Sequence, residues 1–102
     1  MLFKKLKKQR KYFRFYGEVQ AVGFRFTAAA AAEECGASGW VKNEADGSVS
    51  MEIQGTEKQI RSVINAFESN SYIVIDRVES GTLAVIPRDR EFDVRLKKGL
   101  LH

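Results

Sequence analysis

The sequence predicts an α+β domain in which two helices cover one face of an antiparallel sheet. Three observations predict it. The apolar pattern switches between strand and helix periods in the order βαββαβ, with a further short strand at the end. Turn residues punctuate every switch. The chain has 102 residues, one proline and no repeat or low-complexity linker, so a single core must serve all the elements.

Each element has its own reason. Tyr12-Phe13-Arg14-Phe15-Tyr16 is aromatic-rich and closes at Gly17, which marks a first strand. Phe24, Thr27/Ala28, Ala31/Ala32 and Cys35 recur at helical spacing, and Gly36 stops them. The alanines at 28–32 favour a helix and let it lie close on a sheet. Gly39-Trp40-Val41-Lys42-Asn43 reads as a second strand, followed by Glu44-Ala45-Asp46-Gly47 as a hairpin with a type I′ Asp-Gly turn. Ser48–Gln54 alternates polar and apolar with period 2, a half-buried third strand.

Thr56 with Gln59 three residues later forms a capping box. Ile60, Val63, Ile64 and Phe67 then make one buried helical stripe. Tyr72–Ile75 and Arg77–Glu79 read as a fourth strand that Leu83–Ile86 extends, and Phe92–Arg95 as a short fifth edge strand. This order is the ferredoxin-like plait, with the second sheet face left wet. The plait hosts binders, carriers and enzymes, so it decides no function.

Composition removes whole classes of chemistry. One cysteine, Cys35, excludes a disulfide framework and a cysteine-based metal cage. The single histidine is His102, at the end of the chain, so triad chemistry and His-rich metal sites go too. No metal site is expected. The net charge of +4 would suggest nucleic acid, but its distribution does not. Residues 1–14 carry seven basic side chains and no acid, whereas 15–102 hold 10 basic and 13 acidic residues. The body is therefore mildly acidic, and the excess lies in the N-terminal stretch.

Residues 1–10 are read as a basic, disordered tail and 96–102 as a second tail, with the domain at 11–95. The start resembles the charged end of a signal peptide, yet no apolar run of ~7–15 residues follows it. No stretch approaches the ~18–20 apolar residues of a membrane span. A cytoplasmic monomer is the expectation.

The loop between the first strand and first helix carries the chemistry. Gly17-Glu18-Val19-Gln20-Ala21-Val22-Gly23-Phe24-Arg25 brings unpaired backbone N–H groups to a helix start, and Arg25 adds a guanidinium fork. A phosphate suits such a site. Turn geometry for the glycines and a surface role for Arg25 are the alternatives that these residues leave open. Trp40 reads as a packing residue, Asp46 as a turn residue, and Glu33, Glu34 and Glu52 as solvated.

Gly17-x-Val19-Gln20-x-Val22-x-Phe24-Arg25, followed by Gly39-Trp40-Val41-x-Asn43 and Asp46-Gly47-x-Val49, resembles the acylphosphatase family. Gly55 and Phe92-x-Val94-Arg95 match it as well, so the resemblance spans about Lys11 to Arg95. It implies hydrolysis of acyl phosphates to carboxylate and inorganic phosphate, without metal or cofactor. It implies that Arg25 and the backbone amides of Val19, Gln20, Ala21, Val22 and Gly23 hold the phosphoryl group, and that Asn43 holds the attacking water. Inorganic phosphate or sulfate would then be a ligand of the site.

Two positions depart from the family pattern. Ala21 stands where glycine is common, and Glu18 where a basic residue is common. They leave a catalytically weak or silent anion- or protein-binding relative as the competing reading. An RNA-binding plait would need aromatics on its third strand, and Ser48–Gln54 has none, so no nucleic-acid partner is expected.

Overall fold

The structure, a computed structural model, describes residues 7–96. The tail expectations for residues 1–6 and 97–102 lie outside the described residues. In chain order the elements are β1 (Gln9–Glu18), α1 (Phe24–Cys35), β2 (Ser38–Asn43), β3 (Val49–Gly55), α2 (Glu57–Ala66), β4 (Val74–Leu83) and β5 (Phe92–Arg95). A single 3-10 turn, Phe67–Ser69, ends α2. This is the α+β plait that the periodicity predicts.

The helix boundaries follow local chemistry. Gly36, at φ 83, ends α1 in the left-handed conformation, and its N–H donates to the Ala32 carbonyl. At the start of α2 the capping box is complete: Gln59 N–H donates to Thr56 Oγ1, and Thr56 N–H donates to Gln59 Oε1. Phe24, Ala28 and Ala32 bury one stripe of α1, and Ile60, Val63 and Phe67 continue the buried layer from α2. Both stripes lie on Phe15, Val41, Val49, Met51 and Ile53 of the sheet. At roughly 1.5–3 kcal/mol for each large apolar side chain, this layer supplies most of the driving force for folding.

The strand order is β4-β1-β3-β2-β5. β1 pairs antiparallel with β3 and β4, and β2 with β3. The sheet is not wholly antiparallel, because β5 runs parallel to β2, with Gly39 opposite Phe92 and Lys42 opposite Arg95. The 84–91 segment crosses one end of the open sheet face before β5, so the chain re-enters the sheet in the direction of β2. That face, expected to be wet, is partly roofed there.

β1 also begins earlier than expected. Gln9 and Arg10 belong to the strand, opposite Gly55 and Gln54, and not to a tail. Arg10 is 3% exposed and donates to Glu52 at 2.9 Å and Asp89 at 2.8 Å. Burial alone would lower its pKa, but the Asp89 and Glu52 carboxylates outweigh that and raise it. Glu52 is therefore a half-buried ion-pair partner and not a solvated side chain.

The hairpin between β2 and β3 differs too. Asp46 keeps a negative φ while Gly47 takes φ 94, and Gly47 N–H donates to the Glu44 carbonyl. This is a type I turn followed by a left-handed glycine, a three-residue hairpin in place of type I′. β4 runs from Val74 to Leu83, so Tyr72 and Ile73 precede it and Val85 and Ile86 follow it.

Three phenylalanines meet where β1, α1 and α2 converge. Phe24 stacks on Phe67 with centroids 4.1 Å apart, and Phe15 lies 5.0 Å from Phe24 and 5.4 Å from Phe67. Truncating Phe67→Ala removes a buried ring and leaves a cavity, which should cost about 3–5 kcal/mol. Urea unfolding with an unchanged m value checks it; a loss below about 1 kcal/mol would contradict the packing described.

Candidate functional site

The loop from Val19 to Gly23 is shaped by its buried end. Val19 is 1% exposed and drives its side chain into the core, so the residues after it turn outward. The register of β1 against β4 shifts between Tyr16 and Gly17. Gly17 sits at φ 132, where a Cβ would lie 2.2 Å from the Val74 carbonyl oxygen, so glycine is required. Ala21 has φ 60 and Gly23 φ 81. Left-handed residues at alternate positions fold the backbone into a concave nest of N–H groups. Among the described residues, no N–H from Gln20 to Phe24 donates to a protein acceptor.

Two side-chain amides brace this nest. The Gln20 amide donates to the carbonyls of Glu44 at 2.7 Å and Ser48 at 2.9 Å, across the mouth of the β2–β3 hairpin. From the other side, Asn70 Nδ2 donates to the Val22 carbonyl at 2.9 Å. Asn70 Oδ1 in turn accepts from Tyr72 N–H at 3.0 Å. Gln20 thereby ties the loop to the hairpin that starts directly after Asn43.

The nest opens into a cleft of about 330 Å³. Arg25, in the first turn of α1, and Asn43, the last residue of β2, line the same cleft with Val19, Ala21 and Gly23. Arg25 is half-buried, and its only protein contact of hydrogen-bond type among the described residues is a long one, 3.5 Å to the Arg95 carbonyl. Its guanidinium is thus available to an anion. Phe26, Val94 and Leu96 form an apolar wall, and Phe26 is 79% exposed. Leu96, assigned from sequence to a tail, is part of this wall.

Of the sequence-derived candidates, the structure brings together Arg25, Asn43, Val19, Ala21 and Gly23. Gln20 and Val22 belong to the nest through their backbone, the Gln20 side chain and the Val22 carbonyl being committed to the braces. Ala21 adopts the left-handed conformation that glycine would take more cheaply, so the nest keeps its shape. Glu18 ends β1 opposite Val74 and is not among the residues of the cleft. The bracing roles of Asn70 and of the Glu44 and Ser48 carbonyls carry no sequence signal, because the partners lie 48, 24 and 28 residues apart.

The hairpin is stiffened by charge. Asp46 accepts from Ser48 N–H at 2.9 Å and from Ser48 Oγ, and Arg14 donates to it at 3.0 Å. The Ser48 hydroxyl, the Ser48 amide and Arg14 together pull the Asp46 carboxyl down to about 2. Ser50 Oγ donates to Glu44, and Lys42 pairs with Glu44 at 3.6 Å. Trp40 lies on the open face with the Arg95 guanidinium 4.5 Å over its ring. Among the described residues, no three His, Cys, Asp or Glu side chains converge as a metal-ligand set, and no helix is long and apolar enough to cross a membrane.

A family model and curated relatives identify one family. The acylphosphatase family model matches residues 11–94. The acylphosphatase of Thermococcus kodakarensis is 36% identical over 75 residues, 72% of this chain and 82% of that one. That of Lactobacillus johnsonii is 38% identical over 81 residues, 78% of this chain and 86% of its own length. The crystal structure of acylphosphatase from Bacillus subtilis superposes with a TM-score of 0.77 at 24% identity, covering 85% of this chain and 98% of that chain, which shows the shared fold.

Two outcomes follow from the loop and hairpin. Ala21→Gly should stabilise the protein by up to about 1 kcal/mol, because glycine occupies φ 60 without strain; a lower denaturation midpoint would contradict the strain. Asp46 contributes stability above its ordinary value of 3.8 and loses it as pH falls through about 2. Acid titration of Asp46→Asn should therefore show a flatter stability profile in that window than the parent; identical profiles would mean that the carboxylate does nothing for the hairpin.

Proposed function

The chain belongs to the acylphosphatase family, and from that premise we propose how its cleft carries out the hydrolysis of acyl phosphates. The substrate is a small molecule with a carboxyl–phosphate anhydride. Its leaving group is a stabilised carboxylate, so the reaction calls for little acid–base assistance and can be driven by positioning and charge stabilisation.

The phosphoryl end enters the nest. Backbone N–H groups from Gln20 to Phe24 and the Arg25 guanidinium donate to its peripheral oxygens, where negative charge is concentrated during transfer. Asn43, in the same cleft, orients a water through its side-chain amide. The water oxygen forms the new bond to phosphorus, the bond from phosphorus to the acyl oxygen breaks, and the electron pair leaves with the carboxylate. The water's second proton passes to solvent or to the phosphate formed. An amide can aim a water without taking its proton, which fits an activated substrate.

Gln20 and Asn70 act as positioning residues in this scheme. Gln20 sets the spacing between the nest and Asn43, because it bonds to the hairpin that carries Asn43. Phe26, Val94 and Leu96 give the acyl portion an apolar surface to lie against. The observation that carries the proposal is the placement of Arg25 and Asn43 in one cleft with an unpaired amide nest.

Release of phosphate from benzoyl phosphate tests it. Arg25→Ala should lower kcat/KM by about 10²–10³, the loss expected for a transition-state donor, and should weaken inhibition by inorganic phosphate. Asn43→Ala should lower kcat by about 10² or more while leaving phosphate inhibition unchanged. Full activity in the Asn43 variant would refute the water-holding role, and no turnover by the parent protein would refute the scheme.

A further inference from the structure

A second cavity of about 410 Å³ lies at the other end of β2 from the cleft. Ser38 and Asn43 stand at opposite ends of that strand, roughly 16 Å apart at ~3.3 Å per residue, so the two sites are separate. Lys8, Ser38, Gln54, Arg88, Asp89 and Arg90 border it.

The ion pairs single this cavity out. Arg10, Arg14, Arg61, Arg77 and Arg95 each have a carboxylate within 4.0 Å. Among the described residues Arg25, Arg88 and Arg90 have none. Arg25 faces the phosphate nest. The other two face this second cavity, with Lys8, which is likewise without an ion pair. The one acid there, Asp89, is neutralised by Arg10 at 2.8 Å. The cavity is therefore cationic and offers donors in excess of acceptors.

Ser38 gives an independent sign. Ser38 is 4% exposed, and among the described residues its hydroxyl makes no hydrogen bond to protein. No buried side-chain polar atom among the described residues is sealed from solvent without a partner, so this hydroxyl opens into the cavity that Ser38 borders. The hydroxyl can therefore bond to whatever occupies the cavity, water or an anion.

The frame around it is rigid. The Gln54 side chain pairs with both backbone groups of Ile86, accepting from its N–H at 2.8 Å and donating to its carbonyl at 2.9 Å. Gly39 N–H donates to the Glu91 carbonyl at 3.0 Å. Asp89 N–H donates to the Ile86 carbonyl, closing a turn with Pro87 second and Arg88 third. Arg88 has φ 68, the value at which that turn ordinarily takes glycine. An arginine is held there despite the backbone cost.

We propose that this cavity is a second anion site, separate from the catalytic cleft, that takes a small polyvalent phosphate. Two guanidinium forks, an ammonium and a hydroxyl match the oxygens of such an anion, and the one carboxylate that borders the cavity, Asp89, is paired with Arg10.

Titration calorimetry with inorganic diphosphate on the full chain tests the proposal. Arg25→Ala should retain one binding event with affinity within about twofold of the parent's second site. The double variant Arg88→Ala/Arg90→Ala should lose that event by about tenfold or more while benzoyl phosphate turnover stays within about twofold. Arg88→Gly keeps the turn geometry, so its thermal midpoint should not fall, yet diphosphate should bind it several-fold more weakly. Ser38→Ala should weaken binding less. Loss of all binding in Arg25→Ala, unchanged binding in the double variant, or a parallel fall in turnover and binding would each overturn the proposal. Absence of turnover in the parent with diphosphate binding intact would count against the catalytic scheme alone.

Discussion

The contact of Phe24 with Phe15 and Phe67 is the constraint on which the functional geometry depends. Phe24 is the first residue of α1, so clamping its ring between β1 and the end of α2 fixes where that helix begins. The four residues before it must then bridge from the buried Val19 to the clamped Phe24, and that short span forces the left-handed turns at Ala21 and Gly23. Arg25, the next residue in the chain, is carried into the cleft by the same clamp. An apolar interaction thus sets the position of an anion site made of backbone.

The nest is too short to hold itself, and two amides supply the rest. Gln20 bonds it to the hairpin and Asn70 to the turn after α2, so the loop is tied to the two elements that flank it. Because the hairpin also carries Asn43, the Gln20 contact couples the two halves of the cleft. The turn is in its own right strengthened by Asp46, Ser48 and Arg14, which makes the hairpin a fixed arm and not a mobile loop.

What the sequence makes legible is local chemistry. The capping box at Thr56, the glycine stop at Gly36 and the stripe from Ile60 to Phe67 depend on neighbours within a turn, and each is found where the pattern puts it. The loop motif points to Arg25 and the family resemblance to Asn43, and both line one cleft. What is not legible depends on distant partners. Arg10 joins β1 because Glu52 and Asp89, 42 and 79 residues away, neutralise it. β5 lies parallel to β2 because the 84–91 segment crosses the sheet, a route that no local pattern encodes. Asn70 bonds to Val22 across 48 residues, so its bracing role has no local signature. The hairpin differs from type I′ for a different reason: Asp46 is bound to Ser48 and Arg14 in a conformation with negative φ, which the Asp-Gly pair by itself does not dictate.

The central claim is that backbone amides from Gln20 to Phe24 hold a phosphate beside Arg25. Amide proton and nitrogen shifts followed by NMR during titration with inorganic phosphate test this most directly. The account predicts that the Gln20–Phe24 amides move together along one saturable curve, and that Arg25→Ala weakens that curve while the fold is preserved. If those amides stay still at saturating phosphate, the nest is not the phosphate site and the account is wrong.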